Sequence, residues 1–150
     1  MKSLTIFTPA YNRAHTLCRT YKSLCRQTCK DFEWLVIDDG STDDTHQLVE
    51  GWMADNIISI RYIYQENQGG GAARNTGIRN SSGKYLICLD ADDIYEKDML
   101  EVLFKKAEES DADITVSTFS IFNVTTGRKV KSKGINPEFL PRKDVFSPSD

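Results

Sequence analysis

The sequence has little cysteine, little histidine and no strong excess of positive charge. Among 150 residues there are four cysteines and two histidines, and the formal net charge is -3. Cys25 and Cys29 have helical spacing, but no second pair and no histidine cluster completes a zinc site. We therefore expect reduced thiols and no structural zinc. The slight negative charge gives no reason to expect a nucleic-acid surface.

Long apolar runs are also missing. No stretch is long enough to span a bilayer, and the first residues lack the apolar core and cleavage site of a signal peptide. A cytoplasmic location is the resulting expectation. The glycine run Gly69–Gly71 is not followed by the Gly-Lys-Ser/Thr of a phosphate-binding Walker A loop. It does not follow the first strand either, as a dinucleotide fingerprint would.

Strand-like and helix-like segments alternate along the chain. Such alternation predicts an α/β fold with a Rossmann-like, mostly parallel sheet, right-handed crossovers and flanking helices. We predict the strand order 3-2-1-4. The predicted strands are Leu4–Thr8, Glu33–Ile37, Ile57–Tyr64 and Tyr85–Leu89. The predicted helices are Ala14–Gln27, one capped by Thr42 or Asp43 and ending near Ala54, Ala72–Asn80 and Lys97–Glu109.

The end of the sequence is less regular. Asp113–Phe122 is strand-like, and the residues 125–128 indicate a hairpin turn into Lys129–Val130. From residue 131 onward the periodicity disappears, and three prolines lie in a polar setting. We therefore predict one domain over residues 1–130 and an irregular tail over residues 131–150.

Three acids follow the fourth strand directly. Tyr85–Leu89 is a continuous apolar run, which is typical of a strand covered on both faces. Asp90, Asp92 and Asp93 come next, at the strand end where open α/β sheets bind ligands. Clustered carboxylates suit a hard divalent metal. The alternative is a solvated turn in which one Asp caps the next helix.

Two further polar segments, Thr8–Arg13 and Asp38–Asp43, should meet at the same edge, and the segment Gln65–Asn75 could come near it. Asp38 and Asp39 follow the second strand, and a carboxylate can accept N–H groups of a base or ribose hydroxyls, or form an Asx turn. The glycine run opens a helix, whose N-terminus favours a phosphate, although a flexible turn is the commoner explanation of such a run alone. Tyr11 and Arg13 could stack on a base or pair with a phosphate, and Arg13 could equally be an exposed loop charge.

Four motifs together resemble the family 2 glycosyltransferases. They are Thr8-Pro9-Ala10-Tyr11-Asn12-Arg13, then Asp38-Asp39-Gly40-Ser41-Thr42-Asp43, then Asn67-Gln68-Gly69-Gly70 with Ala73-Arg74-Asn75-Thr76-Gly77, and Leu89-Asp90-Ala91-Asp92-Asp93. The resemblance covers roughly residues 2 to 125. It implies the GT-A fold, a nucleotide-sugar donor that is often a uridine diphosphate sugar, a divalent Mn²⁺ or Mg²⁺, and inversion at the anomeric carbon.

The resemblance also implies roles for single residues. Asp39 resembles the carboxylate that binds the base N–H, Asp90 the acid that contacts the ribose, and Asp92 the metal ligand. Arg74 is a candidate diphosphate contact. The whole predicted nucleotide-sugar-binding set is Pro9, Ala10, Tyr11, Arg13, Asp39, Arg74, Asp90 and Ala91, with Asp92 on the metal.

No residue of the chain matches the family's general base. Asp144 lies in the tail without a motif, so the base is expected beyond Asp150, and the chain is expected to be the donor-binding half, inactive alone. The implied partners are a nucleotide-sugar donor and a saccharide or lipid-linked acceptor, the latter allowing peripheral membrane association. Three rivals remain: a non-catalytic nucleotide-sugar-binding module, a metal-dependent nucleotidyltransferase, and a phospho-accepting signalling domain, whose acids would follow other strands.

Overall fold

The structure is a computed structural model that describes residues 2–123 and 125–131. Contacts within the chain divide it into two compact units, Met1–Leu100 and Glu101–Asp150. The division falls inside the helix Met99–Ser110. The boundary predicted between residues 130 and 131 lies where the described residues end, and it stays a prediction.

The first unit alternates strands and helices as the sequence predicts. Its elements are β1 (Leu4–Ala10), α1 (Ala14–Cys25), β2 (Phe32–Asp38), α2 (Thr45–Asp55), β3 (Ser59–Tyr64), α3 (Gly70–Asn80), β4 (Tyr85–Cys88) and the start of α4 (Met99–Ser110). All four strands pair in parallel, in the order β3-β2-β1-β4. The predicted fold class and strand order are therefore confirmed.

Side chains of β2 alternate between the two faces of the sheet and fix where the helices pack. On one face, Trp34 lies in an aromatic stack with Tyr21 of α1 and Trp52 of α2, the last two rings 4.3 Å apart. On the other face, Leu35 forms a buried cluster with Ala73 of α3. The sheet therefore lies between α1 and α2 on one side and α3 on the other.

Helix α3 approaches β1 very closely at Gly77. A Cβ atom on Gly77 would lie 2.3 Å from Cδ2 of Phe7 and 2.8 Å from Cγ. Only glycine allows this approach, because ordinary carbon–carbon contacts are about 3.5–4.0 Å. The same helix carries Arg74, so this packing sets the position of the arginine relative to the sheet edge.

The prediction that Tyr85–Leu89 is covered on both faces is wrong. Among the described residues β4 pairs only with β1, the edge position that the predicted strand order gives it. Leu86 is nevertheless 49% exposed, and Cys88 on the same face of the strand is also exposed. The strand itself ends at Cys88, one residue early. Apolar content alone does not determine whether each face of a strand is covered, and this explains the error.

The described residues of the second unit contain a hairpin. β5 (Ser120–Asn123) pairs antiparallel with β6 (Arg128–Lys131), which confirms the predicted turn. The strand predicted from Asp113 begins only at Ser120. Residues 113–119 form no strand, and Ile114 among them is 76% exposed. Their apolar residues find no pairing partner within the described ranges, so β propensity alone does not make a strand there.

Candidate functional site

The nine predicted site residues line one cleft at the carboxyl edge of the sheet. The cleft measures about 500 Å³. Its predicted members are Pro9, Ala10, Tyr11, Arg13, Asp39, Arg74, Asp90, Ala91 and Asp92, and Asn67, Gly69, Gly70 and Ala73 complete the lining. Parallel strands bring their carboxyl ends to one edge, and this is why residues up to 83 positions apart share the cleft.

Asp39 is buried at the floor of the cleft and holds the loop between β3 and α3. Its Oδ1 accepts hydrogen bonds from Nε2 of Gln65 at 2.7 Å and from the N–H of Gln68 at 3.0 Å. Its Oδ2 accepts the N–H of Gly69 at 2.8 Å. Each carboxylate oxygen can accept about two hydrogen bonds, so Oδ2 keeps capacity for one more donor.

Asp38 has a different role from its neighbour. Its Oδ1 accepts the N–H of Ser41 at 2.7 Å, which is an Asx-type turn, and its Oδ2 accepts the hydroxyl of Tyr62 at 2.5 Å. Burial, followed by the hydrogen bond to Asp38, raises the pKa of Tyr62 above its ordinary value. The side chain of Asp38 thus stabilises the fold around the turn, and that of Asp39 lines the cleft.

Asn12 joins the loop after β1 to the loop after β2. Its Oδ1 accepts the N–H of Thr42 at 2.8 Å, and its own N–H donates to Oγ of Ser41 at 2.9 Å. Its φ of 54° is left-handed, a conformation that asparagine tolerates better than most residues. This link fixes the backbone on which Tyr11, 49% exposed, lines the cleft.

Two arginines face the two acids of the predicted metal and ribose site. Nη2 of Arg74 lies 2.9 Å from Oδ1 of Asp90, and Nη1 of Arg13 lies 4.0 Å from Oδ2 of Asp92. Burial, together with the negative charges of Asp92 and Asp90, raises the pKa of Asp93. Arg74 and Arg13 offset part of the negative charge of Asp90 and Asp92.

The donor set fits a divalent metal that arrives with a phosphate ligand. Within residues 2–123 and 125–131, no group of three or more acidic, histidine or cysteine side chains could hold a metal by itself. Asp90 and Asp92 are each about half exposed at the cleft. Mg²⁺ and similar ions are commonly held by one or two carboxylates plus substrate phosphates, and the two half-exposed carboxylates of this cleft are compatible with that kind of site.

Sequence reasoning placed the segment Gln65–Asn75 near this edge but gave no role to Gln65, which lies one residue past β3 and donates to Asp39. A buried polar face on α1 was missed because the sequence gives no sign of its hydrogen-bond partners, which follow about seventy residues later.

Asp144, considered as a general base, lies outside the described residues. None of the helices in the described ranges is both long and apolar enough to cross a membrane.

Known proteins resemble this chain in sequence and in fold. GlyA, a glycosyltransferase of Streptococcus pneumoniae, is 40% identical over 124 residues, which are 83% of this chain and 18% of GlyA. The crystal structure of S. aureus TarS 1-349 in complex with UDP-GlcNAc superposes with a TM-score of 0.70 and 29% identity, covering 75% of this chain and 33% of that one.

A second solved structure carries a metal. The mannosyltransferase PcManGT from Pyrobaculum calidifontis, in complex with GDP-Man and Mn²⁺, has a TM-score of 0.59 and 26% identity, covering 63% of this chain and 28% of that one. This chain thus spans far less than two thirds of the length of these relatives. The family model described as glycosyl transferase family 2 matches residues 5–148. On that match, the chain belongs to glycosyltransferase family 2.

Proposed function

We propose that this chain binds a uridine diphosphate sugar together with Mn²⁺ or Mg²⁺, as the donor-binding part of an inverting glycosyltransferase. The observation that carries the proposal is the convergence of Asp39, Arg74, Asp90 and Asp92 on one cleft at the sheet edge. The proposed acceptor of the whole protein is a saccharide or a lipid-linked saccharide.

The base side of the cleft suits a uracil. Asp39 is 3% exposed, and its Oδ2 has room for one more donor. An imide N–H supplies such a donor, and a buried carboxylate forms a strong charge-assisted hydrogen bond with it. Tyr11 offers an aromatic ring along the same cleft. The assignment to uridine is also supported by the TarS structures, which contain UDP or UDP-GlcNAc.

The other end of the cleft suits a diphosphate. Gly70 is the first residue of α3, where backbone N–H groups and the helix dipole favour an anion, whereas the N–H of Gly69 is already bound by Asp39. Arg74 and Arg13 add positive charge there. Asp92 would hold the metal and Asp90 would contact the ribose. A bound metal would supply charge neutralisation on the departing diphosphate.

The proposal is tested by calorimetry of uridine diphosphate binding to this chain, with Mn²⁺ and with a chelator. The wild type should bind more tightly with the metal, and Asp92→Asn should remove most of that difference. Asp39→Ala should reduce the preference for uridine over cytidine diphosphate more than it reduces the metal effect. Affinity for uridine diphosphate that is the same with Mn²⁺ and with chelator would refute the role given to Asp92.

A non-catalytic donor-binding module is the second candidate, and the lack of an assigned general base among the described residues favours it. A general base typically contributes about 10²–10⁴ in rate. We therefore expect residues 1–150 alone to bind the donor and to transfer sugar poorly. A radiolabelled-donor assay on this chain and on a longer form separates the two candidates: transfer by the longer form alone supports the enzyme, and binding without transfer by either supports the module.

A further inference from the structure

Helix α1 presents a buried polar face to the segment that follows the acids. This polar face consists of Thr20, Ser23 and Gln27, the last lying just past the helix end, and their exposed fractions are 0%, 1% and 1%. Burying polar groups in this way is costly unless each one is hydrogen-bonded. Each of these side chains should therefore have a hydrogen-bond partner within the protein.

All three side chains of the polar face bind the backbone of residues 91–100. Oγ of Ser23 accepts the N–H of Tyr95 at 3.2 Å. Nε2 of Gln27 donates to the carbonyl of Glu96 at 2.7 Å, and its Oε1 accepts the N–H of Leu100 at 3.1 Å. The backbone of residues 91–100 is thus held at several points by buried side chains of the polar face.

Thr20 acts at the acids themselves. Its hydroxyl donates to the carbonyl of Asp93 at 2.8 Å and shares its hydrogen with the carbonyl of Ala91 at 3.2 Å. These two carbonyls belong to the residues on either side of Asp92. The N–H of Asp93 closes the same turn on the carbonyl of Asp90 at 3.0 Å.

The side chain of Asp92 is held only weakly by its own contacts. It is 52% exposed, and its contact with Arg13 is long, at 4.0 Å. Exposed ion pairs of that length orient a side chain weakly. The backbone at residues 91–93 therefore sets the direction in which the Cα–Cβ bond of Asp92 leaves the chain.

We propose that Thr20 is a positioning residue for donor binding: its buried hydroxyl holds the turn that presents Asp92 to the metal and diphosphate. This inference rests on the proposed function. Residues that orient a metal ligand typically affect metal affinity about 10–100-fold when they are changed. We expect Thr20→Val to reduce the gain in uridine diphosphate affinity from Mn²⁺ about tenfold, with binding in chelator nearly unchanged.

The experiment measures uridine diphosphate binding by calorimetry with Mn²⁺ and with chelator, for wild type, Thr20→Val, Thr20→Ser and Thr5→Val. Thr20→Ser keeps the hydroxyl and should restore most of the metal effect. Thr5→Val is the matched control, because Thr5 is also fully buried and hydrogen-bonds Glu33, Ser82 and Gly83 at the other end of β1. It should lower the unfolding temperature and leave the metal effect intact.

The outcomes separate this role from general stability and from the proposed function. An unchanged metal effect in Thr20→Val overturns the positioning role and leaves the proposed function standing. An equal loss in Thr5→Val also overturns it, since loss of stability would then explain the result. A wild type without any metal effect refutes the metal site and this inference with it. Should Thr20→Val not fold, Thr20→Ala is measured in its place with the same criteria.

Discussion

Replacement of two helical glycines by alanine should change stability in opposite directions. Alanine is favoured over glycine in a helix interior by about 1 kcal/mol. An added Cβ on Gly51 in α2 would meet no atom within 4 Å apart from its chain neighbours and the backbone of its own helix, so Gly51→Ala should stabilise the protein by up to about that amount. Gly77 in α3 has the ring of Phe7 at 2.3 Å, so the same change adds a severe clash.

The size of the clash at Gly77 follows from what can move. Phe7 is 2% exposed, and the atoms approached include Cγ, which cannot swing away from the backbone as the end of a flexible side chain does. Overpacking of a core typically costs about 1–3 kcal/mol, and three close ring atoms put this site at the upper end. After the gain in helix propensity, Gly77→Ala should lower the free energy of unfolding by about 2 kcal/mol.

Equilibrium urea unfolding followed by tryptophan fluorescence measures both variants, because Trp34 and Trp52 are buried in the first unit. Phe7→Leu in the Gly77→Ala background should recover part of the loss, giving a coupling energy above about 0.5 kcal/mol in a double-mutant cycle. If Gly77→Ala is as stable as wild type, or if its free energy of unfolding rises as that of Gly51→Ala does, then α3 does not pack on β1 as closely as described.

Three further changes test the loops at the sheet edge. Asn12→Ala loses the acceptor for Thr42 and strains a left-handed residue, so urea unfolding should show a loss of about 1–3 kcal/mol, and Asn12→Gly should lose less. Burial acts to raise the pKa of Asp43, but hydrogen bonds from Thr45 and from the N–H of Ala14 outweigh it and lower the pKa. Its contribution is therefore present above about pH 4 and lost as the pH falls through the folded-state pKa, and Asp43→Asn should flatten that acid loss in unfolding measured against pH. Arg74→Met should weaken uridine diphosphate binding much more than uridine binding in calorimetry, and equal weakening of both would contradict the diphosphate contact.

The topology was predictable because two independent signals agree on it. Strands and helices alternate, and polar clusters follow the strands, so the carboxyl edge and its residues could be placed before any contact was known. The exposure of β4 was not predictable, because an apolar run does not report whether each face of the strand is covered. The start of α3 at Gly70, two residues early, reflects Gly69, whose φ of 87° ends the preceding loop.

The hydrogen-bond partners of Asp39 were beyond sequence reasoning for a different reason. A carboxylate after a strand predicts a hydrogen-bond acceptor, but its donors come from Gln65, Gln68 and Gly69, at least 26 residues further along the chain. Only the folded sheet brings the end of β3 beside the end of β2. The same holds for Thr20, since an isolated threonine on an amphipathic helix carries no sign of a partner 73 residues later.

Hydrogen-bonding side chains tie the loops around the cleft to one another and to α1. Asn12 joins the loop after β1 to the loop after β2, Asp39 joins the loop after β2 to the loop after β3, and Thr20 joins α1 to the loop after β4. In each link a side chain binds backbone groups, so it fixes the path of the chain. Loops that are already ordered lose less conformational entropy when a ligand binds. Each link fixes one loop locally, so a change at Asp39 should act mainly on binding of the base and a change at Thr20 mainly on the metal effect.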